Sequence, residues 1–281
     1  MSQPDETTPA QWAALSFEVA LLLVGIGILV WLLVSPKGKA TRASRLPAWR
    51  MPPLDFLVLL CFGFVGSTFT SAVAGFVIHH VALSTDALTV VSSAVMEGGF
   101  LLGLAVFYLM HAGIAPVGPR PALRHALKGG AATFLVSTPF VAATLVTWGF
   151  FLTRMGLPDE KQELVSILEN DHSAVLRASF AVVALVLVPV TEEVLFRGCL
   201  FRFLLERIPR WAAISSSSLL FGALHVQWWD HMGGLPSFLP LVVLAAIFCV
   251  AYERTGTLAA PIIAHALFNL NTFVLVLTGI S

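Results

Sequence analysis

The sequence predicts an all-α fold, a polytopic transmembrane bundle of about eight helices, on three observations. Hydrophobic residues make up 57% of the chain and charged residues only 11%, whereas soluble domains carry about 25% charged residues. The 281 residues hold apolar runs near 15–34, 53–78, 89–112, 130–152, 176–198, 211–227, 236–253 and 258–279, each close to the ~20 residues that a span needs. Lysine and arginine collect in every second loop, as the positive-inside rule requires of a multi-pass protein.

Taken in order, each run is bounded by loops that fit this layout. After the first come Lys37, Lys39, Arg42, Arg45 and Arg50. Met1–Trp12 has no basic stretch, so this first run reads as a retained span and not a cleaved signal peptide. Asp55 is placed to cap the second run. The third carries Glu97, read as lining an interhelical gap or as functional, and ends before the Pro-rich linker 115–121 and a second basic loop with Arg120, Arg124 and Lys128. The fourth leads into an acidic loop over 154–175. The fifth is expected to continue past Arg197 to a turn at Pro209, through Arg202 and Arg207. The seventh ends near Arg254 and the Gly256 turn. With eight spans, every strongly basic loop falls on one side. That side is expected to be cytoplasmic, with both termini outside.

A net charge of zero gives a nucleic acid nothing to bind. Cys61, Cys199 and Cys249 sit in or beside apolar runs without metal-ligand spacing and read as small packing residues. The Pro-rich linker divides the chain into an N-terminal accessory region, 1–120, and a second region, 121–281, that holds every leading candidate for chemistry.

Those candidates are polar groups inside apolar runs, where charges are costly and need a partner or a function. Glu192 and Glu193 are adjacent, so on a helix they point about 100° apart. Glu193 and Arg197 have the four-residue spacing of a same-face ion pair. Glu192 lacks such a cation, which suits a general base. From Glu192 to Pro209 is about 25 Å of helix, and from Arg210 to His225 about 22 Å back, so an antiparallel hairpin brings Glu192 and His225 to one depth. His265 lies about 13 Å beyond the Gly256 turn and reaches the same layer if the hairpin projects from the membrane. His265 and Asn269, four apart, share a face and suit donation to an oxyanion. The set fits hydrolysis by an activated water. The plain alternatives are a buried ion cluster and packing histidines. Asn271, Trp228, Trp229 and Ser215–Ser218 read as a cross-helix hydrogen bond, interfacial anchors and close packing.

The motifs resemble the intramembrane CAAX-protease and bacteriocin-processing family (CPBP, or Abi). Its pattern of EExxxR, FxxxH and HxxxN appears as Glu192–Arg197, Phe221–His225 and His265–Asn269, in order and on separate apolar segments. The Phe196-Arg197-Gly198 triplet and the Thr255–Pro261 approach to the third motif are also similar. The resemblance covers roughly residues 125–281. It implies a CAAX-protease-like core in the C-terminal half and an intramembrane endopeptidase, often classed as a metalloprotease, in the cell membrane. Glu192 and His225 would activate water, Glu193 and Arg197 would support them, and His265 with Asn269 would hold the oxyanion. The cofactor is either zinc, on Glu192, His225 and His265, or none. The implied partners are membrane lipid and a protein or peptide substrate, lipidated or with a membrane-embedded tail. A non-proteolytic scaffold or bacteriocin self-immunity protein is the alternative of a different class, and a proton or small-ion transporter the third. Inverted helix repeats, the mark of many transporters, are not evident in the sequence.

Overall fold

The computed structural model describes residues 8–40, 44–81, 83–111, 122–157, 173–228 and 232–279. The Pro-rich linker 115–121, most of the acidic loop, His172, His231 and Trp229 lie outside the described residues. Among those described, the chain forms nine helices: α1 (Pro9–Val34), α2 (Pro36–Ala40), α3 (Pro53–Ile78), α4 (Thr85–Met110), α5 (Leu123–Met155), α6 (Ala174–Leu205), α7 (Arg210–Leu224), α8 (Leu235–Thr255) and α9 (Ala259–Thr278). Seven of them, all but α2 and α7, are long and apolar enough to cross a membrane. Six of these seven, all but α8, carry large apolar side chains exposed on their outer faces, as lipid contact demands. The chain is a multi-pass membrane protein.

One expected span differs. The run over 211–227 folds as α7, which has 15 residues and is only about 22 Å long, short of a ~30 Å hydrocarbon core. It stops at His225 because the backbone turns there. Val226 and Leu235 are buried at the start and end of the following loop, which is pinned by a bridge between Gln227 and Gly233. Irregular backbone at membrane depth is tolerated where protein surrounds it.

Helix α6 is not a uniform α-helix. Val183–Leu187 and Val194–Phe201 are π-helical, with α-helical Val188–Glu193 between them. Pro189 lies in that central segment and cannot donate a backbone hydrogen bond. Such π turns occur most often at functional sites, and here the two flank the glutamate pair.

The N-terminal helices are packed into this core. Helix α1 lies along α5, with Leu21 in a cluster with Phe134, Leu244, Phe248 and Ala264. Asn271 Nδ2 donates to Glu18 Oε1 at 2.8 Å, the cross-helix bond expected of that asparagine. Helices α3 and α4 form a tight hairpin through glycine. A Cβ at Gly103 would overlap the Phe62 carbonyl, and one at Gly99 the Thr70 hydroxyl. Asp55 stands in the first turn of α3, where it complements the helix dipole. It makes no capping hydrogen bond.

Between α2 and α3, residues 44–52 run as a strap across the α6–α7 hairpin. Arg202 Nη2 donates to Pro47 O, and Arg207 Nη2 to Met51 O. Trp49 N donates to Glu206 Oε1 at 3.0 Å, and Arg45 N to Glu253 O at 2.8 Å. Much of the arginine cluster read as a topology signal is therefore also a set of structural clamps.

Gly103→Ala places a methyl against rigid backbone, so it is expected to cost about 1–3 kcal/mol. A lower melting temperature in detergent, relative to Gly98→Ala, where a Cβ meets nothing within 4 Å, checks it.

Candidate active site

Four helices build one polar cluster. The central α-helical turn of α6 carries Glu192 and Glu193, and the π-helical turn after it carries Arg197. The end of α7 supplies His225, and the middle of α9 supplies His265. Helix α8 closes the rear with Phe248.

The inner layer is sealed. Arg197 Nη1 donates to Glu193 Oε1 at 2.8 Å, with side-chain exposures of 1% and 0%. The guanidinium also lies over the rings of Phe221 at 4.7 Å and Phe248 at 5.3 Å, contacts that help to offset desolvation of the cation. His265 Nδ1 sits 3.0 Å from the same Glu193 oxygen. A carboxylate only accepts, so Nδ1 carries the hydrogen and His265 turns Nε2 outward.

The outer layer is the accessible one. His225 Nδ1 lies 2.8 Å from Phe221 O. A carbonyl also only accepts, so Nδ1–H donates there and Nε2 is left facing the cluster. That nitrogen is 3.6 Å from Glu192 Oε1, and His265 Nε2 is 3.8 Å from Glu192 Oε2. Glu192 and His225 retain 18% and 24% exposure, unlike the pair behind them. Phe221 does more than mark the FxxxH motif, since its carbonyl fixes the tautomer of His225 and its ring supports Arg197.

Glu192 therefore faces two imidazoles and not bare hydrocarbon. Asn269 departs more clearly from its expected place. Its Nδ2 donates to Ala184 O at 2.7 Å, inside the first π-helical segment, so the four-residue spacing from His265 does not put both side chains on the carboxylate. The amide instead holds α9 against the irregular turn of α6. Three groups gain weight that spacing alone could not supply. Thr191 is buried beside Glu192, Ser218 is buried in α7, and Glu97 on α4 is within electrostatic reach of Glu192.

The set Glu192, His225 and His265 has zinc-type donor chemistry, and both imidazoles have the oriented Nδ1–H typical of metal-bound histidine. Among the described residues, however, no three such side chains are arranged to hold a metal ion.

Breaking a buried pair by removing one partner leaves an uncompensated charge and typically costs 3–5 kcal/mol. Arg197→Met is expected to destabilise the protein by about that amount. Glu193→Gln combined with Arg197→Met should recover part of the loss, as read by thermal unfolding in detergent.

Comparison with known proteins agrees with this geometry. Residues 174–271 match the family described as type II CAAX prenyl endopeptidase Rce1-like. The "Putative membrane peptidase YdiL" of Bacillus subtilis (strain 168) is 28% identical over 122 residues, 43% of this chain and 45% of that protein. The alignment thus spans less than half of that relative's length. No solved structure matches the chain. The matched stretch runs from the start of α6 into α9 and contains the whole cluster just described, so the C-terminal half of the chain carries an Rce1-like domain.

Proposed function

We propose that the protein is an intramembrane endopeptidase that hydrolyses a peptide bond in a membrane-associated protein or peptide. The observation that carries this reading is the arrangement around Glu192, where the Nε2 atoms of two imidazoles face one accessible carboxylate. A separation of 3.6 Å between Glu192 and His225 is too long for a good hydrogen bond and suits groups bridged by a water molecule.

In this mechanism a water donates one hydrogen to Glu192 and the other to His225 Nε2, so that its lone pair is directed at the scissile carbonyl. As oxygen attacks carbon, Glu192 takes the proton and the carbonyl becomes an oxyanion. In its imidazolium form His265 donates from Nε2 to that oxyanion, while Nδ1–H stays on Glu193. Arg197 holds the Glu193 carboxylate in place. Asn269 holds α9 at the required height and offers its second N–H beside His265. Glu192 then passes its proton to the leaving nitrogen, and the C–N bond breaks to give a carboxylic acid and an amine. Each group is pre-set before substrate arrives, which is how buried dipoles contribute most to catalysis. Were zinc present, Glu192, His225 and His265 would hold it, and it would supply Lewis acidity to the same water.

The 121–281 region is the protease domain in this reading, with 1–120 attached to it. The strap and the Arg202–Arg210 end of the hairpin face the cytoplasm, both termini lie outside, and the host is the cell membrane. The substrate approaches within the bilayer and carries a lipid or a membrane-embedded tail.

Glu192→Gln preserves shape and removes the base. It is expected to abolish cleavage, by at least about 100-fold, while the melting temperature in detergent stays within a few degrees. Proteomics of membranes from cells carrying Glu192→Ala should show an accumulated uncleaved precursor. An unchanged membrane proteome together with intact biological activity would favour the scaffold or immunity role. His225→Ala should reduce the rate by about 10²- to 10⁴-fold, measured on the same precursor.

A further inference from the structure

One carboxylate lies outside the matched segment and is not used by the mechanism above. Glu97 is midway along α4, a 26-residue apolar helix, and is half-buried. Helix α4 packs alongside α6 in a register that two apolar clusters define independently. In one, Val90 and Ala94 meet Phe180, Val183, Leu187 and Val188. In the other, Phe100 and Leu104 meet Cys199, Val194 and Leu195. Moving up both helices together, the level between Ala94/Val188 and Phe100/Val194 is the level of Glu97 on one side and Thr191–Glu192 on the other.

The electrostatics agree with that placement. Glu97 lies within electrostatic reach of the Glu192 carboxylate and near the Thr191 hydroxyl. Thr191 is 5% exposed, and its Oγ1 has no hydrogen-bond partner among the described residues, so the hydroxyl is free to turn to the carboxyl that the register sets beside it. A carboxyl on the α4 side of Glu192 has a directional effect. It disfavours the Glu192 rotamers that turn toward α4 and leaves those that face His225 and His265. A carboxylate at membrane depth that serves no such purpose is a pure cost.

We propose that Glu97 is a positioning residue of the active site. Through Thr191 and its repulsion of Glu192, it holds the general base toward the two imidazoles. The α3–α4 hairpin thereby supplies a functional group that the Rce1-like segment lacks. The catalytic part of this proposal rests on the protease reading, whereas the juxtaposition does not.

The test therefore has two arms, both on the full chain in detergent or nanodiscs. The first needs no substrate. Melting temperatures of Glu97→Gln, Glu192→Gln and the double variant form a cycle, and neighbours are expected to depart from additivity by about 2–4 °C. Additive shifts would overturn the juxtaposition. The second uses, as probe, the precursor that accumulates in Glu192→Ala membranes. Glu97→Gln should lower kcat by about 10- to 100-fold with KM within about twofold. Glu97→Asp should restore part of the rate, and Glu97→Leu none. Wild-type kcat in both the Gln and Leu variants, or a loss confined to KM, would overturn the positioning role. A wild-type protein that cleaves nothing would defeat the protease reading while the thermal cycle still reports on the contact.

Discussion

The structure depends on a fixed negative charge in a place where charge is expensive. Glu193 is fully buried, and a single oxygen of its carboxylate accepts from both Arg197 and His265. In a low-dielectric interior such a carboxylate survives only if it is paired and hydrogen-bonded. Meeting that demand recruits four helices. Helix α6 must hold Glu193 and Arg197 one turn apart, α9 must bring His265 to the same oxygen, and α7 and α8 must give Phe221 and Phe248 to the guanidinium. The position of the outer groups then follows. His265 turns Nε2 toward Glu192 because its other nitrogen is committed, and His225 does the same because Phe221 O holds Nδ1. A buried pair of this kind is weak support for stability, and here its consequence is orientation.

This layering explains which parts of the site could be read from residue order. The Glu193–Arg197 contact followed from one rule of helical spacing, and the shared depth of Glu192 and His225 from counting residues along a hairpin. Both are local properties of a chain that is helical almost everywhere. The placement of Asn269 was not legible, because the carbonyl it binds belongs to Ala184 in a π-helical turn, and i, i+4 arithmetic presupposes an α-helix. Glu97 was visible as a charge inside an apolar run, but its neighbour was not. Only the packing of α4 against α6, through the cluster shared by Ala94 and Val188 and the one shared by Phe100 and Val194, sets that register, and nothing in the order of residues specifies it. Helix α7 was read as a full span because its apolar run extends into Val226, where the backbone has already turned.

The expected division into an accessory half and a chemical half also changes character in three dimensions. Residues 44–52 cross the far end of the α6–α7 hairpin, where Arg202 of α6 and Arg207 of the turn after it hold backbone carbonyls of the strap. Trp49 and Met51 are buried there, and Phe203 stacks on Phe56 with ring centroids 3.9 Å apart. The first helix meanwhile reaches the last through Glu18 and Asn271. Contacts at both ends of the bundle, together with the α3–α4 hairpin against α6, leave the glutamate turn supported from the N-terminal side as well as from its own domain.

The π-helical stretch Val194–Phe201 couples those two ends. A wide turn takes up more residues per revolution than an α-turn, so it changes the angular phase between the segments it joins. Glu192 above it and Arg202 below it point where they do only because the wide turns intervene. Winding the same residues into ordinary α-turns would rotate everything downstream by about 100°. The arginines would swing off the strap while the acidic turn stayed in place. Helix α6 thus works as a geared shaft, and the length of that one coil sets how its two loads are timed.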